Sequence, residues 1–201
     1  MSDIKIVAAT DNQGKIKELR AIMSKFGIEL VSKKDAGAED INPEETGNTF
    51  EENSLIKAKA VMEATGMPAV ADDSGLEVDA LDGKPGVFSA RFAGENATYA
   101  DNNNKLLELM KDVPKADRTA KFVCVITLCF PDGRVLTARG ECRGKIGIEP
   151  HGANGFGYDP IFVPNGFFRP FAELTDGDKN KVSHRGNALR ELKKKLDETE
   201  K

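Results

Sequence analysis

The stretch Val70-Ala71-Asp72-Asp73-Ser74-Gly75-Leu76-Glu77-Val78-Asp79 decides how the fold is interpreted. A short apolar run ends in two adjacent carboxylates and a Ser-Gly pair, which predicts a buried strand followed by a turn. The C-terminal end of such a strand is the edge of an α/β sheet where ligands usually bind. Neighbouring side chains on a strand point to opposite faces, so Asp72 and Asp73 are predicted to serve different purposes. Two like charges this close favour a hard cation such as Mg²⁺ nearby, and a solvated turn is the alternative.

The composition predicts one compact globular domain over residues 1–201. The chain is 39% hydrophobic and 31% charged, and its net charge of -4 disfavours nucleic-acid and membrane partners. No apolar segment approaches the roughly 18 residues that span a bilayer, and Met1-Ser2-Asp3 leads directly into a strand rather than a signal peptide. We therefore expect a cytoplasmic protein whose three cysteines are reduced core thiols.

Hydrophobic periodicity along the chain predicts an α/β fold with a mixed sheet. Strands at 4–9 and 28–32 are expected to be parallel because a helix connects them. Further along, the pattern predicts a helix that starts at the capping box of Thr49 and a strand after Pro68. A helix capped by Thr98 follows, and then a hairpin closed by the two-residue loop Asp132-Gly133. The last predicted elements are a strand at 161–163 and one final helix through 182–196.

Small polar residues, a glycine and a lysine lie between the first strand and the first helix, in Thr10-Asp11-Asn12-Gln13-Gly14-Lys15. Free backbone N–H groups and the helix dipole favour phosphate at such a helix start. The loop does not match the Walker-type pattern, so a phosphate cradle and a plain turn both remain open.

Three other groups of residues are candidates for a site. Lys57 lies in the Thr49 helix, and Glu44 and Glu45 precede that helix; a solvated surface is the alternative for these charges. The glycines of Gly155-Phe156-Gly157-Tyr158-Asp159-Pro160 allow a flat ligand to approach the Phe156 ring. Ser183-His184-Arg185, with Lys179 one turn earlier, resembles a recognition cluster for an anionic, aromatic ligand, and a polar helix surface is the alternative.

Taken together, these motifs resemble those of the inosine triphosphate pyrophosphatase family, also called XTP/dITP diphosphatases. The motifs occur in the family's order and span nearly the whole chain: Thr10-Asp11-Asn12-Gln13-Gly14-Lys15, Glu44-Glu45-Thr46-Gly47-Asn48-Thr49-Phe50, Ala71-Asp72-Asp73-Ser74-Gly75-Leu76, Pro85-Gly86-Val87-Phe88-Ser89-Ala90-Arg91, Gly155-Phe156-Gly157-Tyr158-Asp159-Pro160 and Ser183-His184-Arg185-Gly186. The resemblance implies an elongated mixed sheet flanked by helices, two lobes with a nucleotide cleft between them, and a homodimer.

The resemblance also implies an activity, the Mg²⁺-dependent hydrolysis of ITP, dITP and XTP to the monophosphate and pyrophosphate. It assigns the metal to Glu45 and Asp73, with Asp73 also activating water. The substrate-binding residues that it implies are Thr10, Asp11, Asn12, Gln13, Gly14, Lys15, Lys57, Ser74, Phe156, Gly157, Tyr158, Asp159, Lys179, His184 and Arg185. Within this set Phe156 would stack on the base, and Lys179, His184 and Arg185 would read its edge. The chain departs from the family by carrying Asp11 where Gly is usual.

Two other functions remain open at this point. A Maf-type relative would hydrolyse modified pyrimidine nucleotides, but the Ser-His-Arg and Gly-Phe-Gly-Tyr motifs argue against it. A non-catalytic nucleotide sensor would keep the base pocket and lose the acids, yet Glu45 and Asp73 are both present.

Overall fold

A computed structural model describes residues 4–199, so Met1-Ser2-Asp3, on which part of the signal-peptide argument rests, lie outside the described residues. The strands are β1 (Ile4–Ala8), β2 (Ile28–Ser32), β3 (Ala69–Val78), β4 (Thr119–Cys129), β5 (Val135–Ile146) and β6 (Phe162–Pro164). The helices are α1 (Gln13–Met23), α2 (Phe50–Thr65), α3 (Tyr99–Leu109), α4 (Asp176–Val182) and α5 (His184–Thr199). Among the described residues, no helix has the length and apolar character that crossing a membrane requires.

The strands form one six-stranded sheet in the order β2-β1-β3-β4-β5-β6. β1 pairs in parallel with both β2 and β3, while β5 pairs antiparallel with β6. The sheet is therefore mixed, and the predicted α/β class and the parallel pairing of the first two strands are confirmed.

Helix starts follow the capping signals in the sequence. The Thr49 side chain accepts a hydrogen bond from the backbone N–H of Glu52, and the Glu52 carboxylate accepts from the Thr49 N–H, so α2 begins with a capping box. Gly66 ends α2 in the left-handed conformation that glycine adopts without steric cost. Thr98 caps α3 in the same way as Thr49 caps α2.

The described chain divides into two compact units, whose boundaries fall within β3, β4 and β5 and after the first residue of α5. The first unit comprises residues 4–73, 124–140 and 185–199, and the second comprises 74–123 and 141–184. In the first unit, alternate residues of β1 and β3 pack on opposite faces of the sheet. Ile6, Ala8 and Val70 join a cluster with apolar residues of α1 and α5, whereas Val7, Ala69 and Ala71 join a cluster with α2.

The second unit has an aromatic core of its own. The Phe122 and Phe162 rings lie 4.7 Å apart edge to face, and Phe162 and Phe171 lie 5.2 Å apart. Such pairs add directional contacts to the hydrophobic burial. All three cysteines of the chain are buried free thiols, as predicted.

Three sequence expectations are wrong in detail. Ser74-Gly75 is no turn, because β3 continues to Val78 and buries Leu76 and Val78 completely. The hairpin loop has three residues, since Phe130 N–H donates to the Arg134 carbonyl and Gly133 adopts a positive φ. The final helix is two helices, because extended backbone at Ser183 separates α4 from α5.

Candidate active site

Asp72 and Asp73 lie inside β3, and the strand's alternation sends their side chains to different faces of the first unit. The Asp73 carboxylate points to the α2 side. Its Oδ1 lies 3.0 Å from Nζ of Lys57, and the same Nζ lies 3.0 Å from Oε1 of Glu45. Asn53 Nδ2 also donates to Oδ2 of Asp73 at 3.4 Å. One ammonium thus joins the two carboxylates to which the family resemblance assigns the metal.

Helix α2 and the loop before it place these groups. Asn53 and Lys57 are four residues apart on α2 and so share one face of the helix. The Asn53 side chain also accepts a hydrogen bond from Gly47 N–H at 2.9 Å, which fixes the loop that carries Glu45. A side chain at position 47 would collide with Asn53 Oδ1 and Glu52 Cβ, both 2.6 Å from a Cβ built there. The close approach of this loop to α2 therefore requires glycine.

The surroundings of Asp73 hold its pKa above the ordinary value of an aspartate. Burial is the main cause, and Glu45 adds to it, while Lys57 and Lys15 oppose it. Burial alone would lower the pKa of Lys57, but the nearby carboxylates outweigh burial and raise it. The lysine therefore stays charged while Asp73 has increased affinity for a proton.

The Asp72 carboxylate points to the opposite side, towards α1 and α5. Arg185 on α5 donates to its Oδ2 from Nη2 at 2.7 Å and from Nε at 3.2 Å, and Lys15 Nζ lies 3.2 Å from the same oxygen. Nη1 of Arg185 binds Glu18 on α1 at 2.5 Å. Burial would raise the pKa of Asp72, but Lys15 and Arg185 outweigh it and hold that pKa far below its usual range. Asp72 is therefore a permanently charged member of a buried ion-pair network.

The expected phosphate cradle forms the start of α1. The Asn12 side chain caps the helix by accepting from Lys15 N–H at 3.1 Å, and the Thr10 hydroxyl accepts from Asn12 N–H at 3.2 Å. Gln13 is exposed and Gly14 half-buried at this end of the helix. The cradle therefore presents a capped helix N-terminus with a lysine in its first turn, which suits an anion.

A second group of predicted residues lies in the second unit. Phe156 is half-buried between two glycines with positive φ, Gly155 at +78° and Gly157 at +62°. Phe156 N–H donates to Oδ2 of Asp159 at 2.8 Å, and Lys179 Nζ lies 2.5 Å from the same oxygen. The Lys179 ammonium also lies 4.9 Å from the centre of the Phe156 ring. Asp159 thus holds an aromatic ring and a buried cation together.

Three other predicted residues, Tyr158, His184 and Ser74, also belong to the second unit. The Tyr158 ring is buried, and its hydroxyl donates to the Ser89 carbonyl at 2.9 Å. The His184 ring is buried and stacks on Phe122 at 4.6 Å with the planes 11° apart. Ser74 follows Asp73 on β3 and is half-buried.

The structure thus groups Glu45, Lys57 and Asp73 within the first unit, where Lys15 contacts Asp72 instead. It groups Phe156, Asp159 and Lys179 within the second unit. The sequence analysis expected Lys179 and Arg185 on one helix, and the structure places them on two. Lys179 belongs to α4 in the second unit, and Arg185 belongs to α5 in the first.

Sequence reasoning missed three residues that shape the candidate site: Asn53, Glu18 and Lys33. Asn53 lies one helical turn before Lys57, and this spacing was the available signal. Glu18 and Lys33 are polar residues that the fold buries, Glu18 against Arg185 and Lys33 with its Nζ 2.6 Å from Oδ2 of the predicted site residue Asp11. No local pattern predicts these partners.

The donor set near Asp73 fits a divalent cation held jointly with a phosphate ligand. Among residues 4–199, no group of three or more His, Cys, Asp and Glu side chains is arranged to hold a metal by itself. Yet oxygens of Asp73 and Glu45 both lie 3.0 Å from one cationic atom, Nζ of Lys57. Mg²⁺ in phosphate-handling sites needs only one or two carboxylates, because phosphate oxygens and waters complete its shell.

Comparison with known proteins identifies the family. The model of the Ham1 family matches residues 6–195. The dITP/XTP pyrophosphatase of Exiguobacterium sibiricum is 49% identical over 195 residues, which cover 96% of this chain and 97% of the relative. That of Haemophilus influenzae is 50% identical over 194 residues, covering 96% and 98%. The Coxiella burnetii HAM1 protein structure matches with a TM-score of 0.85 at 43% identity, over 97% of this chain and 99% of that one. The chain therefore belongs to the Ham1 family.

Proposed function

We propose that this chain is a nucleoside-triphosphate pyrophosphatase that hydrolyses non-canonical purine nucleotides, dITP, XTP and ITP, to the monophosphate and pyrophosphate. Its similarity to curated dITP/XTP pyrophosphatases extends over almost the full length of both chains. The single structural observation that carries the proposal is the Asp73 carboxylate, which shares the Lys57 ammonium with Glu45.

Asp73 is the proposed general base. Its raised pKa favours acceptance of a proton from the attacking water, and Oδ1 or Oδ2 would receive that proton. Lys57 and Lys15 would stabilise the negative charge that develops on the departing pyrophosphate. Thr10, Asn12 and the N-terminus of α1 would hold the phosphates through side-chain and backbone donors.

Asp73 and Glu45 would hold Mg²⁺ together with phosphate oxygens. When bound, the ion supplies positive charge that screens the triphosphate and polarises its phosphoryl oxygens. The two carboxylates and one lysine carry a net negative charge, which favours a divalent cation here.

The second unit supplies the proposed base recognition. Phe156 would stack on the purine, and Lys179, held by Asp159, would donate to the oxygen at purine position 6. Adenine presents an amino donor at that position, so a buried ammonium facing it would lack an acceptor. We therefore propose that ATP is a poor substrate for this reason.

Two further proposals concern the setting of the enzyme. A homodimer is proposed from the family resemblance. A cytoplasmic location without nucleic-acid or membrane partners is proposed as in the sequence analysis. Sedimentation at micromolar concentration tests the assembly, since a species with the mass of one chain would exclude the dimer.

A released-pyrophosphate assay across ITP, XTP, dITP, ATP, GTP and the pyrimidine triphosphates tests the activity. We expect turnover of the first three to exceed that of ATP by orders of magnitude. Preference for pyrimidines would indicate the Maf-type alternative, and binding without turnover would indicate a sensor.

Phe156→Ala should raise KM for ITP and ATP alike by about 10-fold, because stacking favours any purine.

A further inference from the structure

Lys33 is a buried lysine directly after β2, and only 4% of its side chain is exposed. Its ammonium has three acceptors within hydrogen-bond distance. Nζ lies 3.0 Å from the Ile41 carbonyl, 2.7 Å from Oδ1 of Asn42 and 2.6 Å from Oδ2 of Asp11. An ammonium has three N–H donors, so these three acceptors use its whole capacity. Lys33 is therefore placed to act on Asp11 and not to bind a ligand directly.

Asp11 brings a negative charge to the loop proposed to bind phosphate. It lies between Thr10 and the helix cap Asn12, and its side chain is 65% exposed. A carboxylate beside a helix N-terminus competes with an anionic ligand for the same positive potential. Without compensation, Asp11 would oppose a triphosphate that approaches this loop.

We propose that Lys33 is a positioning residue for the phosphate-binding loop. It cancels the charge of Asp11 and ties the loop to the segment at Ile41 and Asn42. The inference rests on the proposed function, because it concerns the affinity of the loop for a substrate triphosphate.

The charge argument predicts a definite order of substrate affinities. At a separation of about 8 Å and an effective dielectric constant of about 40, one unit charge changes the binding of another by roughly 5- to 10-fold. The wild type carries a balanced pair at this position. Asp11→Asn leaves one positive charge, Lys33→Gln leaves one negative charge, and the double variant leaves none.

The experiment measures kcat and KM for ITP in these four proteins at low ionic strength. We expect the lowest KM in Asp11→Asn, a KM about 5-fold higher in both the wild type and the double variant, and a KM about 5-fold higher again in Lys33→Gln. The kcat values of the four proteins should agree within about 2-fold. The spread should shrink as salt is added, since screening weakens charge effects at an exposed site. Lys34→Gln and Asp40→Asn, which change the charge of exposed residues nearby by the same amounts, serve as controls and should move KM less than 2-fold.

Each result has a distinct meaning. If the KM of the double variant stays as high as that of Lys33→Gln, Lys33 acts through the structure of the loop and not through the charge of Asp11, and the proposal is overturned. If Lys33→Gln does not fold, Asp11→Asn decides alone: a lower KM supports the charge argument, and an unchanged or higher KM contradicts it. If the wild type hydrolyses no nucleotide, the proposed function fails instead, and binding of inorganic pyrophosphate to the four proteins still tests the order.

Discussion

Asp72 and Asp73 are adjacent on one strand, yet their surroundings differ in charge balance. The Asp72 side of the first unit groups two carboxylates, Asp72 and Glu18, with two cations, Arg185 and Lys15. This group is electrically balanced and almost entirely buried. Its ion pairs connect β3, α1 and α5.

The Asp73 side groups two carboxylates with one cation. Glu45 and Asp73 share Lys57, and the neutral amide of Asn53 also donates to Asp73. The excess negative charge helps to raise the pKa of Asp73, and it suits a proton or a divalent cation. Strand alternation thus separates a carboxylate held in a balanced ion-pair group from the adjacent carboxylate that we propose as the general base.

The largest expected effect is that of Asp73→Asn on turnover. The amide keeps the shape but cannot accept the proton of the attacking water, so kcat should fall about 10²-fold or more. Steady-state pyrophosphate release measures it, and thermal unfolding shows whether the variant is folded. Turnover close to wild type in a folded Asp73→Asn protein would remove Asp73 from the mechanism.

Asp72→Asn should instead reduce stability. It leaves the buried Arg185 with Glu18 as its remaining carboxylate among the contacts described above, and breaking a buried pair costs about 3–5 kcal/mol. Urea unfolding measures this loss, with the exposed Asp112→Asn as a control of equal charge change. At low temperature, kcat should fall far less than in Asp73→Asn. Equal stability of Asp72→Asn and wild type would contradict the structural role of Asp72.

Local signals allowed much of the fold to be predicted. The capping box at Thr49 and Glu52 and the glycine stop at Gly66 define α2, because caps depend on nearby residues only. The Ser74-Gly75 pair was misleading, because β3 continues through these turn-forming residues to bury Leu76 and Val78 further along the strand.

The candidate site was less predictable than the fold, because its partners come from distant elements. The motifs identified Asp73, Lys57 and Glu45, and the structure brings these three together. The ion pair of Asp72 with Arg185 joins residues 113 positions apart, and no local pattern specifies such a contact. The same holds for the Asp11 and Lys33 pair, in which one charge is exposed and the other buried.

The smallest expected effect is a shift in the pH dependence of kcat/KM, and its sign tests the charge balance around Asp73. Asp73 must be unprotonated to accept a proton, so activity falls as the pH decreases through its pKa. Lys57→Met removes a cation that lowers this pKa, and the acid limb should therefore move to higher pH. Glu45→Gln removes a carboxylate that raises the pKa, and the limb should move to lower pH. The pH dependence of kcat/KM reports pKa values of the free enzyme, so these shifts can be measured even where a substitution lowers the maximum rate. Lys59→Met, at an exposed position on the same helix, is the control and should leave the limb in place. Shifts of Lys57→Met and Glu45→Gln in the same direction would mean that another group controls the acid limb.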